Sequence, residues 1–550
     1  MPGPAIIAGP GAIVAAKHLA FRVATSIDVA TTIGSASLTF VLIYYCFSRL
    51  PDWIKQDISF RNLLKDKTQV SREELAGLST VVEKIQTLMG SIAELEHVGN
   101  DIPQLHAALL AFIQVSGQLK LAQIKAVRET KRPSSQSNMT MRDAMYRNAG
   151  RPVPLSKLRS EEHQTALTLS TWAYYEDSNI LTDKLLEMDY TLLKHHLVVR
   201  PGTVAHYIAV SPSKRQVVVG MRGTSSLEDI VTDCMGTAAS LEEDESLGDK
   251  IRVEVKARGE NLVLVEPDDD VIEIVSGHER IVLEDDDDEG DNYVRCHEGI
   301  LISARHVMEE IGPFLRDYLM ECQYRVIFCG HSLGAGTAVV AATLLRARYP
   351  ELFLGDDHHR RIHVYAFGPP PVLDHDSAIA ASSFTTSIVY NADLVSRMNI
   401  TNLVVSIATL QKIQAKLVEN NLNPTNPVTT VNFVNKLREG TSGSPLLTLD
   451  ELHKTIRETH VELALRRPEH LFLPGKVLLV YNPWVGQTNS DFDDNSSTVS
   501  SSQMDPEDWK CVETTGTASV FQCLEIDGLR CFTDHLTSSY FEAMGMEYKF

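Results

Sequence analysis

No two of the eight cysteines are spaced as a CxxC pair, which removes a zinc knuckle or a dithiol redox motif. Cys46, Cys234, Cys296, Cys322, Cys329, Cys511, Cys523 and Cys531 are also too sparse for a disulfide scaffold, and they favour a reducing compartment. Basic residues are in deficit: 51 Lys and Arg stand against 72 Asp and Glu, a formal net charge of −21. So acidic a chain argues against nucleic acid as a partner. No internal repeat is present. A secretory signal peptide lacks its charged beginning, because residues 1–16 are apolar, interrupted by Pro2, Pro4 and Pro10, and Lys17 and Arg22 come too late. No acid precedes Asp28, which leaves an organelle transit peptide open.

What is present fits a globular protein with a large core: 550 residues, 43% hydrophobic and 22% charged. Residues 1–50 form an apolar N-terminal segment. Within it, residues 29–48 carry no charge between Asp28 and Arg49, long enough as a helix to span a bilayer. Tyr44 and Tyr45 near one end suit a membrane interface. Residues 51–132 read as a helical region, with Leu75, Leu78, Val81, Val82, Ile85 and Leu88 at helical spacing. Residues 133–159 read as a polar linker.

From residue 160 to 548 the pattern is α/β. Helical spacing over 161–196 precedes a strand pair, His206 to Val210 and Gln216 to Gly220, joined by a Ser-Pro-Ser-Lys-Arg turn. Strands are expected at 362–367, 386–390 and 476–481, and a helix at 298–320. Residues 401–470 read as mostly helical. An acidic insert occupies 241–295; residues 241–291 hold twenty Asp or Glu against five Lys or Arg. Residues 486–506, rich in Ser, Asp and Asn, read as a flexible loop.

The chemistry centres on Gly330-His331-Ser332-Leu333-Gly334. An apolar run, Arg325 to Cys329, precedes it and a small-residue helix pattern follows. Strand, sharp turn and helix would present the Ser332 hydroxyl at the top of a sheet as a nucleophile. Such a serine needs a base and an acid, in the order Ser, acid, His along the chain. Asp393, just past a strand end, is the acid candidate, with Asp374 and Asp376 as rivals. His535 is the base candidate, with His453, His460 and His470 as rivals. The backbone N–H of Leu333 and that of Thr224, in Met221-Arg222-Gly223-Thr224, are the candidate oxyanion donors.

The ordered series Arg222-Gly223-Thr224, Val231-Thr232-Asp233, His297-Glu298-Gly299, the Ser332 motif, Phe367-Gly368-Pro369-Pro370, Asn391-Ala392-Asp393-Leu394-Val395 with Arg397, Leu473-Pro474-Gly475-Lys476, and Asp534-His535 with Tyr540 resembles the class 3 (fungal-type) lipase family. Within it the series is most similar to the sn-1-specific diacylglycerol lipases. The resemblance implies an α/β-hydrolase fold carrying an N-terminal helical region, a Ser332–Asp393–His535 triad, and an oxyanion hole of Thr224 and Leu333. It implies a lid or regulatory insert between Asp233 and His297. Animal relatives of this group carry four transmembrane helices, whereas this chain offers one candidate.

The expected activity is hydrolysis of carboxylic esters in diacylglycerol or triacylglycerol through an acyl-enzyme. Phospholipids, galactolipids, acyl transfer, and a non-catalytic scaffold are the alternatives. The expected partner is lipid at a membrane or droplet surface, with the chain membrane-associated and its catalytic domain cytoplasmic. The chemistry requires no cofactor. The acidic run Glu284 to Glu289 raises Ca²⁺ as a ligand, although it lacks the spacing of an EF-hand loop.

Overall fold

The computed structural model describes residues 146–147, 149–197, 203–223, 238–241, 294–320, 322–349, 361–399, 402, 471–482, 509–521 and 530–549. The candidate membrane helix 29–48, the helical region 51–132, nearly all of the acidic insert, almost all of 401–470 and the loop 486–506 lie outside them. Among the described residues no helix is long and apolar enough to cross a membrane.

The strands are β1 (Arg151–Val153), β2 (Thr191–His196), β3 (His206–Ser211), β4 (Gln216–Met221), β5 (Ala238–Ser240), β6 (Arg295–His297), β7 (Arg325–His331), β8 (Ile362–Phe367), β9 (Thr385–Tyr390), β10 (Lys476–Tyr481) and β11 (Lys510–Thr515). The helices are α1 (Leu155–Leu158), α2 (Glu161–Trp172), α3 (Ser178–Glu187), α4 (Glu298–Met320), α5 (Leu333–Arg348), α6 (His375–Ala380), α7 (Arg530–Thr533) and α8 (Thr537–Ala543). Nine strands make one sheet in the order β1-β11-β10-β9-β8-β7-β4-β3-β2. Its centre, β4 to β10, is parallel, and antiparallel pairs close both ends. This mixed sheet, with a strand–turn–helix at the central parallel strand β7 beside β8, is an α/β-hydrolase architecture.

The central strands are apolar on both faces because helices cover both faces. Alternation divides them cleanly. Val217, Val219, Val326, Phe328, Val364 and Ala366 pack with α4 and α5. Val218, Ile327, Cys329, Tyr365 and Phe367 pack with α2 and α8. A third cluster, including Tyr146, Val389, Val477, Leu479 and Tyr481, fills the β10 end of the sheet.

Three elements differ from the sequence reading. Residues 146–159, expected as linker, contribute a buried tyrosine, edge strand β1 and helix α1. Residues 191–196, expected as helix, form β2. Asp189 at φ 64° reverses the chain after α3, and pairing with β3 then overrides the local pattern. Among the described residues the last strand is β11, which the sequence reading did not expect, and Ser519–Phe521 after it is a 3₁₀ turn. The two ends of the acidic insert meet: β5 pairs with β6, and Leu241 N–H donates to the Val294 carbonyl at 2.8 Å. This ribbon bridges through Cys296 to Leu373, in the segment that follows β8.

Candidate active site

Ser332 occupies the turn between β7 and α5, at φ 60° and ψ −133°. An L-residue there is strained, and the packing around it must hold it. A methyl group on Gly330 would lie 2.4 Å from the Gly334 backbone, and one on Gly334 would lie 2.4 Å from the Met221 carbonyl oxygen. Strand, turn and helix therefore close only with glycine on both sides. Ser332 N–H donates to the Phe367 carbonyl at 2.9 Å, tying the turn to β8.

His535, between α7 and α8, lies with Nε2 2.8 Å from Ser332 Oγ. Its Nδ1 lies 3.0 and 2.9 Å from the two carboxylate oxygens of Asp393. A carboxylate only accepts, so Nδ1 carries the proton and the bare Nε2 accepts from the serine hydroxyl. Asp393 is fully buried in the turn after β9. Oδ1 also accepts from the N–H groups of Val395 (2.9 Å) and Ser396 (3.3 Å). Oδ2 accepts from Tyr540 Oη–H at 2.5 Å. Burial works against the charge on Asp393. The His535 ring beside it, that ring's hydrogen bond and the Tyr540 hydroxyl outweigh burial and hold the carboxyl below its ordinary value.

Behind His535 stands a second imidazole. The His331 and His535 rings stack with centroids 4.7 Å apart. His331 Nε2–H donates to the main-chain carbonyl of His535 at 2.7 Å, and its Nδ1 accepts from Tyr174 Oη–H at 2.8 Å. Burial, reinforced by repulsion from His535, lowers the His331 pKa to about 3, so the ring is neutral. It grips the base by its backbone without adding a competing positive charge. The acid loop is held as firmly. Ala392 N–H donates to Asp534 Oδ2 at 3.2 Å, and Leu394 N–H to the Cys531 carbonyl at 3.1 Å. The segment carrying His535 thus also braces Asp393.

Of the candidate oxyanion donors, Leu333 opens α5, where N–H groups have no partner within the helix. Thr224 lies outside the described residues, although Gly223 before it packs against Ser332. The rivals go elsewhere. Asp374 caps α6, accepting from Ser377 N–H at 2.9 Å and Arg295 N–H at 2.7 Å. Asp376 is exposed and paired with His375. His453, His460 and His470 lie outside the described residues, as does the acidic run raised for Ca²⁺. Among the described residues no cluster of side chains is arranged to hold a metal ion.

The sequence reading quoted His331, Asp534 and Arg397 in the ordered series without giving them a holding role, and it missed Tyr174. For His331 a signal existed. Counting by two along β7 places it on the face of Ile327 and Cys329, opposite α5. For Tyr174 and Asp534 the partners are too far apart in the chain for any local pattern.

Residues 218–403 match the family described as "Lipase (class 3)". Mouse (Mus musculus) diacylglycerol lipase-beta is 26% identical over 200 residues, covering 36% of this chain and 22% of the relative. Human (Homo sapiens) diacylglycerol lipase-alpha is 28% identical over 206 residues, covering 36% of this chain and 15% of the relative. The similar region thus spans less than a quarter of either relative's length. Among solved structures, the Rhizomucor miehei lipase propeptide complex matches at a TM-score of 0.32 and 16% identity, over 49% of this chain and 74% of that one. Residues 218–403 thus resemble the class 3 lipases, and the similar relatives are diacylglycerol lipases.

Proposed function

We propose that this protein is a serine hydrolase cleaving carboxylic esters of glycerolipids, with diacylglycerol or triacylglycerol as substrate and Ser332, His535 and Asp393 as its catalytic triad. One observation carries the reading: His535 Nε2 is 2.8 Å from Ser332 Oγ while its Nδ1 is hydrogen-bonded to the buried carboxylate of Asp393. The class 3 lipase match and the names of the relatives support the lipid class.

In this reading His535 takes the hydroxyl proton as Ser332 Oγ attacks the ester carbonyl. Asp393 holds the imidazole in the reactive tautomer and offsets the positive charge that forms. The N–H groups of Leu333 and Thr224 receive the oxyanion. Collapse breaks the C–O bond; His535 returns the proton to the departing alcohol and an acyl-serine remains. Water, deprotonated by His535, then attacks that acyl group and releases the fatty acid. Protein groups alone carry every step. The substrate is presented at a membrane or droplet surface. The insert, whose described ends meet at the β5–β6 ribbon beside the segment after β8, is in this reading the lid or regulatory insert.

The test is intact mass after incubation with a fluorophosphonate, on wild type and Ser332→Ala, in detergent. One adduct on the wild type and none on the variant is the expected result. No adduct on the wild type would overturn the serine reading and leave a scaffold. With an adduct, release of fatty acid from diacylglycerol, triacylglycerol, phospholipid and galactolipid vesicles assigns the head group. Turnover confined to the last two would overturn the neutral-glyceride choice.

A further inference from the structure

Asn391, two residues before Asp393, has φ 42°, a left-handed conformation in a residue that is not glycine. Its position is over-determined. The Asn391 N–H donates to the Val480 carbonyl at 2.8 Å, and Oδ1 accepts from Asn482 N–H at 2.9 Å. The Asn391 carbonyl accepts from two further groups, Arg397 Nη2 at 2.9 Å and Tyr146 Oη–H at 3.2 Å. The other arm of the guanidinium, Nη1, donates to the Asp393 carbonyl at 2.9 Å. One planar fork therefore spans the Asn391–Asp393 turn from end to end. Arg397 Nη2 also donates to Tyr146 Oη at 3.3 Å, so the tyrosine hydroxyl, the guanidinium and the Asn391 carbonyl form a closed triangle.

The arrangement is wholly internal. Arg397 and Tyr146 both have no exposed surface. The guanidinium packs against the Phe521 ring at 5.4 Å and the Tyr146 ring at 5.9 Å. The Tyr146 ring meets Tyr481 edge-on at 5.0 Å. The rigid fork matches two carbonyls at a fixed separation, which the point charge of a lysine does not. Tyr146 is held in place by its own neighbours: Ala149 N–H returns to the Tyr146 carbonyl at 3.1 Å, and the Ala149 carbonyl accepts from Thr514 Oγ1 at 2.6 Å. Beyond that, β1 pairs with β11. Tyr146 lies outside the 218–403 family match.

We propose that Tyr146 and Arg397 are positioning residues for the acid Asp393, a buried strut that fixes the strained turn and so sets where the carboxylate meets His535. This rests on the triad reading above. The strut touches neither substrate nor reacting atoms. Its effect passes through the turn: if Asn391 relaxes toward an ordinary φ, Asp393 swings with it, and a displacement of order 1 Å at a catalytic group costs up to about 100-fold in rate.

The experiment uses the full chain with p-nitrophenyl butyrate and the fluorophosphonate, comparing wild type, Tyr146→Phe, Arg397→Lys and Arg151→Ala. Tyr146→Phe keeps the ring contacts and removes only the hydroxyl. It is expected to lower kcat and the labelling rate about tenfold with KM unchanged, the scale of one hydrogen bond to a charged group. Arg397→Lys keeps the charge and loses the fork, and is expected to lower kcat by about 10- to 100-fold. Arg151→Ala removes an exposed ion pair between β1 and Glu513 at the same sheet edge, and is expected to leave kcat unchanged. If Tyr146→Phe and Arg397→Lys fold, as judged by far-ultraviolet circular dichroism, with wild-type kcat, the strut is overturned and the triad stands. The same follows if KM rises while kcat holds. If Arg397→Lys does not fold, Tyr146→Phe decides alone. If the wild type takes no adduct, the triad reading fails first and the strut falls with it.

Discussion

Replacing His331 with asparagine is expected to flatten the acid side of the stability curve. In the folded protein burial and the neighbouring His535 lower the His331 pKa from 6.5 to about 3. The unfolded chain has no such burial, and its histidine titrates near the ordinary value. Between those two values the unfolded state binds a proton that the folded state refuses, so stability falls as the pH falls. Above about pH 6.5 the contribution is complete, and below about pH 3 it is gone. At pH 4.5 the wild type has lost about 3 kcal/mol through this residue, two pH units at about 1.4 kcal/mol each. Asparagine does not titrate and loses none of it. The variant also forfeits a hydrogen bond and ring contacts, a cost independent of pH that cancels when the two curves are compared. Urea unfolding followed by tryptophan fluorescence is the assay, since Trp172 and Trp509 are both buried and report the folded core. The gap between wild type and variant should shrink by about 3 kcal/mol between pH 7.5 and pH 4.5. A gap that stays constant across that range would refute the claim that His331 is buried and neutral.

Tyr540→Phe removes the hydroxyl on Asp393 Oδ2 and should cost about 1.5–3 kcal/mol at pH 7, the scale of a hydrogen bond to a charged group, with kcat reduced. Because the Asp393 pKa is held low in the folded state, that loss should narrow as the pH drops through the carboxylate range, read from urea midpoints at pH 7 and pH 3. Gly223→Ala would place a methyl 2.2 Å from the Tyr174 hydroxyl and 2.6 Å from the His331 carbonyl. It should destabilise by about 1–3 kcal/mol and slow fluorophosphonate labelling, measured by thermal melting and intact mass. Burial pushes the Cys296 and Cys511 thiols up to about 12 and Cys329 further still. Peptide mapping after iodoacetamide should find these three unmodified until urea is added, while exposed Cys322 reacts at once.

How legible the molecule was in its sequence depended on where each part of the signal lay. Strands covered on both faces read as apolar runs, and 362–367 and 476–481 coincide with β8 and β10 to the residue. β11 escaped because four of its six residues are exposed or half-buried, and Lys510-Cys511-Val512-Glu513-Thr514-Thr515 shows no clear alternation. The serine turn was legible because the glycines, the strand and the helix lie within a few residues of it. Ser332, Asp393 and His535, put forward from order along the chain, meet within hydrogen-bonding distance. Their supports were not legible. Tyr174 reaches His331 across 157 residues, Asp534 reaches Ala392 across 142, and Arg397 reaches Tyr146 across 251. Such pairs exist only once the sheet is assembled, and nothing in either partner's own neighbourhood encodes the other.

The pairing of β1 with β11 has a consequence in time. Arg151 reaches Glu513, 362 residues later in the chain. At a synthesis rate of about 5–20 residues per second, Arg151 leaves the ribosome roughly 20–70 s before the residue it will bond. Until residue 481 is made Tyr146 has no Tyr481 to rest against, and until residue 513 the β10 end of the sheet stays open. Edge strand β1 is therefore among the last strands of the described sheet to be locked into it. A nascent chain arrested before β11 would carry its serine turn already made and its sheet still unclosed.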